Sequence, residues 1–305
     1  MNDFNYYAPT KVVFGKGAEQ KVGNLIKEQN CKKVLIHYGS GSARRSGLLD
    51  RIEAIFDKEG ITYVELGGVV PNPRLSLVYE GIALCKKENV DFILAVGGGS
   101  VIDTAKAIAH GRANPDIDIW DFWLGKKKVE KTTPVGVILT IPASGSETSD
   151  SAVLTDETIL QKRGLNTDYN RPVFAIMDPA LAATLPKRQV ACGVTDILMH
   201  TLERYFNPIL GNETTMQLAE SVLRVTIANG PAVVDNPGDY DAMSEIMWCG
   251  SLSHNGLTGL GGAKGLSVHP VSFALSEKFD IIHAEALSAL WCSWARYVCK
   301  VNPEN

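Results

Sequence analysis

The chain has 305 residues, enough for two domains and a large buried core. Hydrophobic residues make up 45%, charged residues 21%, and the formal net charge is −4, which excludes a general pull toward nucleic acid or anionic membrane and leaves small-molecule chemistry as the expectation. The start, MNDFNYYAPTKVVFG, has no basic region leading into an apolar core, and no apolar run approaches the ~18 residues that span a bilayer, so the reading is a cytoplasmic protein without a membrane partner. Six cysteines (Cys31, Cys85, Cys192, Cys249, Cys292, Cys299) lie scattered without CxxC spacing, as reduced thiols without an assigned role would.

Strands and helices alternate through the first half. Residues 32–39 read as a strand, 43–60 as a helical stretch stopped by Gly60, and 61–69 as the next strand. Residues 75–90 carry apolar residues at helical spacing, 91–100 form a buried strand running into a turn, and 101–113 are helical again. Residues 134–147 add a strand and a loop. This βαβαβα order predicts a mostly parallel sheet flanked by helices, with ligands at the carboxyl ends of the strands. After about Leu185 the pattern turns to long apolar-periodic segments (194–206, 214–230 and 243–256), which predict an all-α second domain. The division is placed at 1–184 and 185–305 by this change alone.

Two glycine loops close strands of the first domain. Gly97-Gly98-Gly99-Ser100 falls between the apolar run FILAV and a helix, where backbone N–H groups and a helix dipole receive phosphate. Asp103, Thr104 and Lys106 follow on its first turns; a plain tight turn is the alternative. Gly39-Ser40-Gly41-Ser42 lacks the last glycine of the usual dinucleotide fingerprint, and it carries no acid to meet a ribose 2′-hydroxyl. Ser40, Ser42, Arg44 and Arg45 offer hydroxyls and positive charge, which favours NADP(H) over NAD(H), although the arginines also suit a solvated helix start.

The second half holds two pairs of metal-ligand side chains. Asp196 and His200, four apart, leave one helix face one turn apart. An unbroken helix would hold His269 and His283 about 21 Å apart at ~1.5 Å per residue, so a shared ion requires residues 278–282 to break the helix and turn the chain back. Three imidazoles and one carboxylate form a set of borderline hardness, suited to Fe(II) or Zn(II) rather than Mg or Ca. An isolated Asp-x3-His pair is more often two ordinary helix residues.

Taken together, Thr10 to Gly15, Pro71-Asn72-Pro73, Gly97 to Lys106, Ser144-Gly145-Ser146-Glu147 and the two ligand pairs give a chain that resembles, almost end to end, the iron-containing (group III) alcohol dehydrogenases, above all their butanol dehydrogenase branch. The resemblance implies that Asp196, His200, His269 and His283 bind the catalytic metal, and that Gly97, Gly98, Gly99 and Ser100 with Asp103 hold the cofactor pyrophosphate. It also implies that Gly39, Ser40, Gly41 and Ser42 surround the adenosine ribose. Thr140 and Ser144 match positions that line the cofactor, Lys162 one that contacts the nicotinamide ribose, and Asn72 one near the reaction centre. Three departures stand out: Phe273 where members often carry a second histidine, Ala284 where they usually have glycine, and an end at Asn305 that would leave the helical domain incomplete.

The implied activity is a metal-dependent alcohol dehydrogenase, or aldehyde reductase, on short primary alcohols and aldehydes such as butanol and butanal. Related glycerol dehydrogenase-like or dehydroquinate-synthase-like activities stay open, as does a nucleotide- and metal-binding chain with little turnover. A homodimer is expected only because dimers are common among members. His37, His110 and His254 read as ordinary strand and helix residues.

Overall fold

The apolar run at residues 92–97 is buried at every position, the pattern of a parallel strand covered on both faces. In the computed structural model, which describes residues 1–206, 211–262 and 265–301, it is the centre of a six-stranded sheet. The chain forms two compact units, one of Pro9–Thr140 and Ser146–Leu181, the other of Met1–Ala8, Ile141–Gly145 and Ala182–Asn305.

The first unit runs β1 (Lys11–Phe14), α1 (Val22–Glu28), β2 (Lys33–Gly39), α2 (Ser42–Arg45), α3 (Leu48–Glu59), β3 (Thr62–Val69), α4 (Leu75–Glu88), β4 (Phe92–Gly97), α5 (Gly99–Ala113), α6 (Trp120–Trp123), β5 (Val135–Leu139), β6 (Ser151–Asp156), β7 (Gln161–Asn166) and β8 (Phe174–Met177). Strand order is β1-β8-β5-β4-β2-β3, and all neighbours are parallel. The chain moves from β2 outward to β3, then crosses back to β4 on the other side of β2. The sheet therefore switches direction between β2 and β4, whose ends lie side by side through the pairing of Tyr38 with Val96. On one face, Val34, Ile36, Phe92, Leu94, Val96 and Ile176 pack with Leu25 and Ile26 of α1 and Ile52 and Phe56 of α3. Each such side chain taken from water contributes about 1.5–3 kcal/mol.

Residues 43–60, expected as one helical stretch, divide at Ser46-Gly47. Gly47 adopts φ 69°, a left-handed conformation that glycine enters without strain, and α3 starts from it. Gly60, also left-handed at φ 70°, ends α3 where the sequence places the stop. The sequence reading did not include the antiparallel β6–β7 hairpin, which pairs Ser151 with Asn166 and Thr155 with Lys162. Its turn is tied to the start of α4, where the Glu157 carboxylate accepts the N–H groups of Leu75 and Ser76.

The second unit contains α7 (Lys187–Tyr205), α8 (Glu213–Asp235), α9 (Tyr240–His254), α10 (Val268–Phe279) and α11 (His283–Val301), with no strand among its described residues. It starts at Ala182 rather than 185, and takes in two further segments, Met1–Ala8 and Ile141–Gly145, that lie outside a cut at 184/185. Asn2 N–H donates to the Gly261 carbonyl at 2.9 Å. A Cβ at Gly193 of α7 would come 2.2 Å from the Pro142 carbonyl oxygen, so glycine there lets residues 141–145 lie against the helix. Met199, Val268 and Leu287 join α7, α10 and α11 in one apolar cluster with Trp291 and Trp294. Among the described residues, no helix is long and apolar enough to cross a membrane.

Candidate functional site

At the switch point of the sheet, both glycine loops leave the carboxyl ends of neighbouring strands. Gly97 ends β4, Gly98 is extended, and α5 opens at Gly99 with fifteen residues of aligned peptide dipole behind it. A Cβ at Gly97 would lie 2.5 Å from the Val101 side chain, so the turn into α5 requires glycine. Thr140, just past β5, donates its N–H to the Gly97 carbonyl at 3.0 Å and stands beside this loop. Ser144 belongs to the segment carried by the helical unit.

Asp103 is occupied within the fold. Ser146 Oγ donates to one of its oxygens at 2.6 Å and Val153 N–H to the other at 2.9 Å. Burial raises its pKa, against the pull of Lys106. Lys106, 1% exposed, gives its ammonium to Ser146 O, Ser146 Oγ and Ser151 O at 2.7–2.8 Å, and burial pushes it down to about 8. Both side chains thus tie α5 to residues 146–153. Lys162, which the sequence does not connect to Asn72, donates to the Asn72 Oδ1 at 2.9 Å, and both are buried. The hairpin brings Lys162 there, and Asn72 takes a left-handed φ of 58°, which asparagine tolerates better than most residues.

The two arginines after the second glycine loop differ. Arg44 donates to Asp50 at 3.0 Å, pairs with Glu53 and Glu65, and lies over the Tyr38 ring. Its charge is met by three carboxylates. Arg45 instead folds back over the loop, with Nη1 3.2 Å from where a Cβ on Gly41 would stand.

In the helical unit, Asp196, His200 and His269 are buried with ligand atoms within 4.8 Å of one another. His200 Nδ1 lies 3.8 Å from Asp196 Oδ1, and His269 Nε2 and His283 Nε2 each 4.0 Å from the same oxygen. The break between the two histidines falls within the residues where shared ligation requires it. α10 ends at Phe279, Asp280 turns left-handed at φ 50°, and α11 starts at His283. The His283 side chain is 25% exposed against 5–7% for the other three, so the cluster opens on its side.

His200 Nδ1 and His269 Nε2 are buried and make no hydrogen bond among the described residues. Burial, with His254, His269 and Arg204 nearby, holds the His200 pKa well below its ordinary value and its ring neutral. Ligand bonds of ~2.1 Å to one ion span at most ~4.2 Å between two donors, and the 3.8–4.0 Å separations fall inside that reach. Imidazoles with a carboxylate fit a divalent ion of borderline hardness.

Three neighbours of the cluster escaped the sequence reading. Glu203, 4% exposed, receives His269 Nδ1–H at 2.5 Å on one oxygen and Val268 N–H at 2.7 Å on the other. Its place on the stripe Asp196, His200, Glu203, spaced i, i+4, i+7 along α7, was the available signal. Arg204 donates to the His200 carbonyl and to His254 Nδ1. His254, read as an ordinary helix residue, packs its ring 4.1 Å from that of His200. Phe273 stands tilted against His283 with ring centroids 5.8 Å apart.

Comparison with known proteins covers both units. Residues 9–179 match the family model for iron-containing alcohol dehydrogenase, and residues 190–305 that for the C-terminal part of the Fe-containing alcohol dehydrogenase family. The NADH-dependent butanol dehydrogenase A of Clostridium acetobutylicum is 41% identical over 298 residues, 98% of this chain and 76% of that protein. The NADPH-dependent aldehyde reductase YqhD of Escherichia coli is 36% identical over 298 residues, 95% of this chain and 76% of that protein. The crystal structure of NADH-dependent butanol dehydrogenase A from Thermotoga maritima superposes with a TM-score of 0.96 at 38% identity, covering 99% of this chain and 76% of that one.

Proposed function

The chain belongs to the iron-containing alcohol dehydrogenase family, in its butanol dehydrogenase-like branch, and from that premise, which makes it an NAD(P)-linked alcohol dehydrogenase, we propose a metal-dependent enzyme that interconverts short primary alcohols and aldehydes such as butanol and butanal. The observation that carries the metal dependence is the buried convergence of Asp196, His200 and His269, with His283 completing the set. A divalent ion held by these four side chains, Fe(II) or Zn(II), supplies Lewis acidity toward a carbonyl oxygen. The substrate class is supported by the printed activities of the relatives, one a butanol dehydrogenase and one an aldehyde reductase.

The remaining work falls to groups of the chain itself. Gly97 to Ser100 and the α5 terminus supply N–H donors and a positive dipole end for the cofactor pyrophosphate. Lys162, steadied by Asn72, offers its ammonium to the nicotinamide ribose. Phe273 presents carbon rather than a proton carrier beside His283, so protons exchange with solvent through the open side of the cluster.

Relatives of both cofactor preferences match the chain. We read this one as preferring NADP(H), with Ser40, Ser42 and Arg45 meeting the 2′-phosphate. Arg44, neutralised by three carboxylates, drops out of that role. The scattered thiols, all six free, support a reducing cytoplasmic setting.

The test is NADPH oxidation with butanal by the 305-residue protein, stripped of metal and then reloaded with Fe(II) or Zn(II) without oxygen. Turnover that appears only with metal is expected. A folded protein that turns over with neither ion, on NADPH or NADH, would overturn the proposal.

A further inference from the structure

Glu203 is a carboxylate 4% exposed to solvent, and both of its oxygens are directed at the start of α10. One accepts the N–H of Val268, the first residue of that helix, whose preceding Ser267 makes no side-chain cap. The other faces His269 Nδ1. A carboxylate accepts and does not donate, so Nδ1 carries the proton. The lone pair is then on Nε2, the atom 4.0 Å from Asp196 Oδ1 that makes no hydrogen bond of its own.

We propose that Glu203 is a positioning residue that fixes His269 in its Nδ1–H tautomer and caps α10, so that His269 presents Nε2 to a divalent cation. This rests on the metal reading given above. A substitution of equal size exposes the mechanism. In Glu203→Gln the amide has one accepting oxygen for two donors. The Val268 N–H cannot change its role, so the oxygen stays there and the amide NH2 turns to His269. The imidazole relieves that clash by moving its proton to Nε2, which removes the lone pair a metal needs.

The experiment has two readouts on the whole chain. In the stripped protein labelled with 15N at histidine, the His269 resonance, assigned by its loss in His269→Ala, is expected to show an Nδ1–H tautomer in the wild type and an Nε2–H tautomer in Glu203→Gln. In chelator competition with Zn(II), Glu203→Gln is expected to bind about 10- to 100-fold more weakly than wild type. Wild-type His269 protonated at Nε2 overturns the proposal without any variant. So does equal Zn(II) affinity in wild type and Glu203→Gln. If the wild type takes up no Zn(II), the metal reading itself fails, and the Glu203 proposal falls with it.

Discussion

In the strand–helix unit, histidines are buried singly. His37 on β2 donates Nδ1–H to the Leu66 carbonyl at 2.8 Å, and His110 on α5 donates Nε2–H to the Asn170 Oδ1 at 2.8 Å. Each then packs its other nitrogen away from any hydrogen-bond partner among the described residues. In the helical unit, His200, His269 and His283 turn nitrogens toward one carboxylate oxygen at 3.8–4.0 Å. The two single histidines cost a little solvation each and need nothing more. Converging lone pairs beside a carboxylate repel one another, and a cation is the natural reason for a fold to hold them there. Burial alone does not set a histidine apart; convergence on other donor atoms does.

The sharpest way to break this contrast is to remove one member of the cluster. His269→Ala is expected to lower turnover by more than about 100-fold through lost metal, while NADPH binding, read by fluorescence titration, stays within about twofold. Unchanged turnover would take His269 out of the site. On the other side of the comparison, Lys106→Met leaves the Asp103 charge and two serine carbonyls without their buried cation. Leaving buried carbonyls without their donor costs about 1–3 kcal/mol each, measurable by denaturant unfolding. A loss below about 1 kcal/mol would show that this network is not holding α5 to the segment after it.

The buried single histidines make a smaller, pH-dependent prediction. Burial lowers both His37 and His110 from 6.5 to about 4, so the unfolded chain takes up protons that the folded one refuses. Their contribution to stability is intact above about pH 6.5, declines as pH falls, and stops declining below about pH 4. The loss amounts to about 3 kcal/mol each at 1.36 kcal/mol per pKa unit. Replacing His110 by Gln should flatten the slope of stability between pH 6.5 and 4 by about one proton, and an unaltered slope would count against a buried neutral His110. Smallest of all, Ser40→Asp should shift preference from NADP(H) toward NAD(H) by about tenfold in kcat/KM, through repulsion of a 2′-phosphate. If preference does not move, the Gly39–Ser42 loop does not hold the ribose.

What the sequence made legible follows the same division. Asp196 and His200 could be read from helical spacing, and His269 with His283 from the fact that one ion cannot reach across fourteen helical residues. The same distance argument located the break that Asp280 makes with its left-handed φ. Glu203 was hidden because a carboxylate on a helix usually faces water, and only the return of α10 shows it buried against His269. The arginine pair looked equivalent, since what separates Arg44 from Arg45 includes Glu65, which a neighbouring strand brings alongside. The β6–β7 hairpin lacked a two-residue glycine turn and reads as polar along β7, so nothing local announced it or the Lys162–Asn72 contact it creates.

The most direct measurement is the stoichiometry of Zn(II) uptake by the stripped 305-residue chain, compared with the variants Asp196→Ala, His269→Ala, His37→Gln and His110→Gln. One ion per chain is expected, lost in the first two variants and retained in the last two. Uptake that survives loss of Asp196 or His269, or that depends on His37 or His110, would contradict a metal centre built from Asp196, His200, His269 and His283.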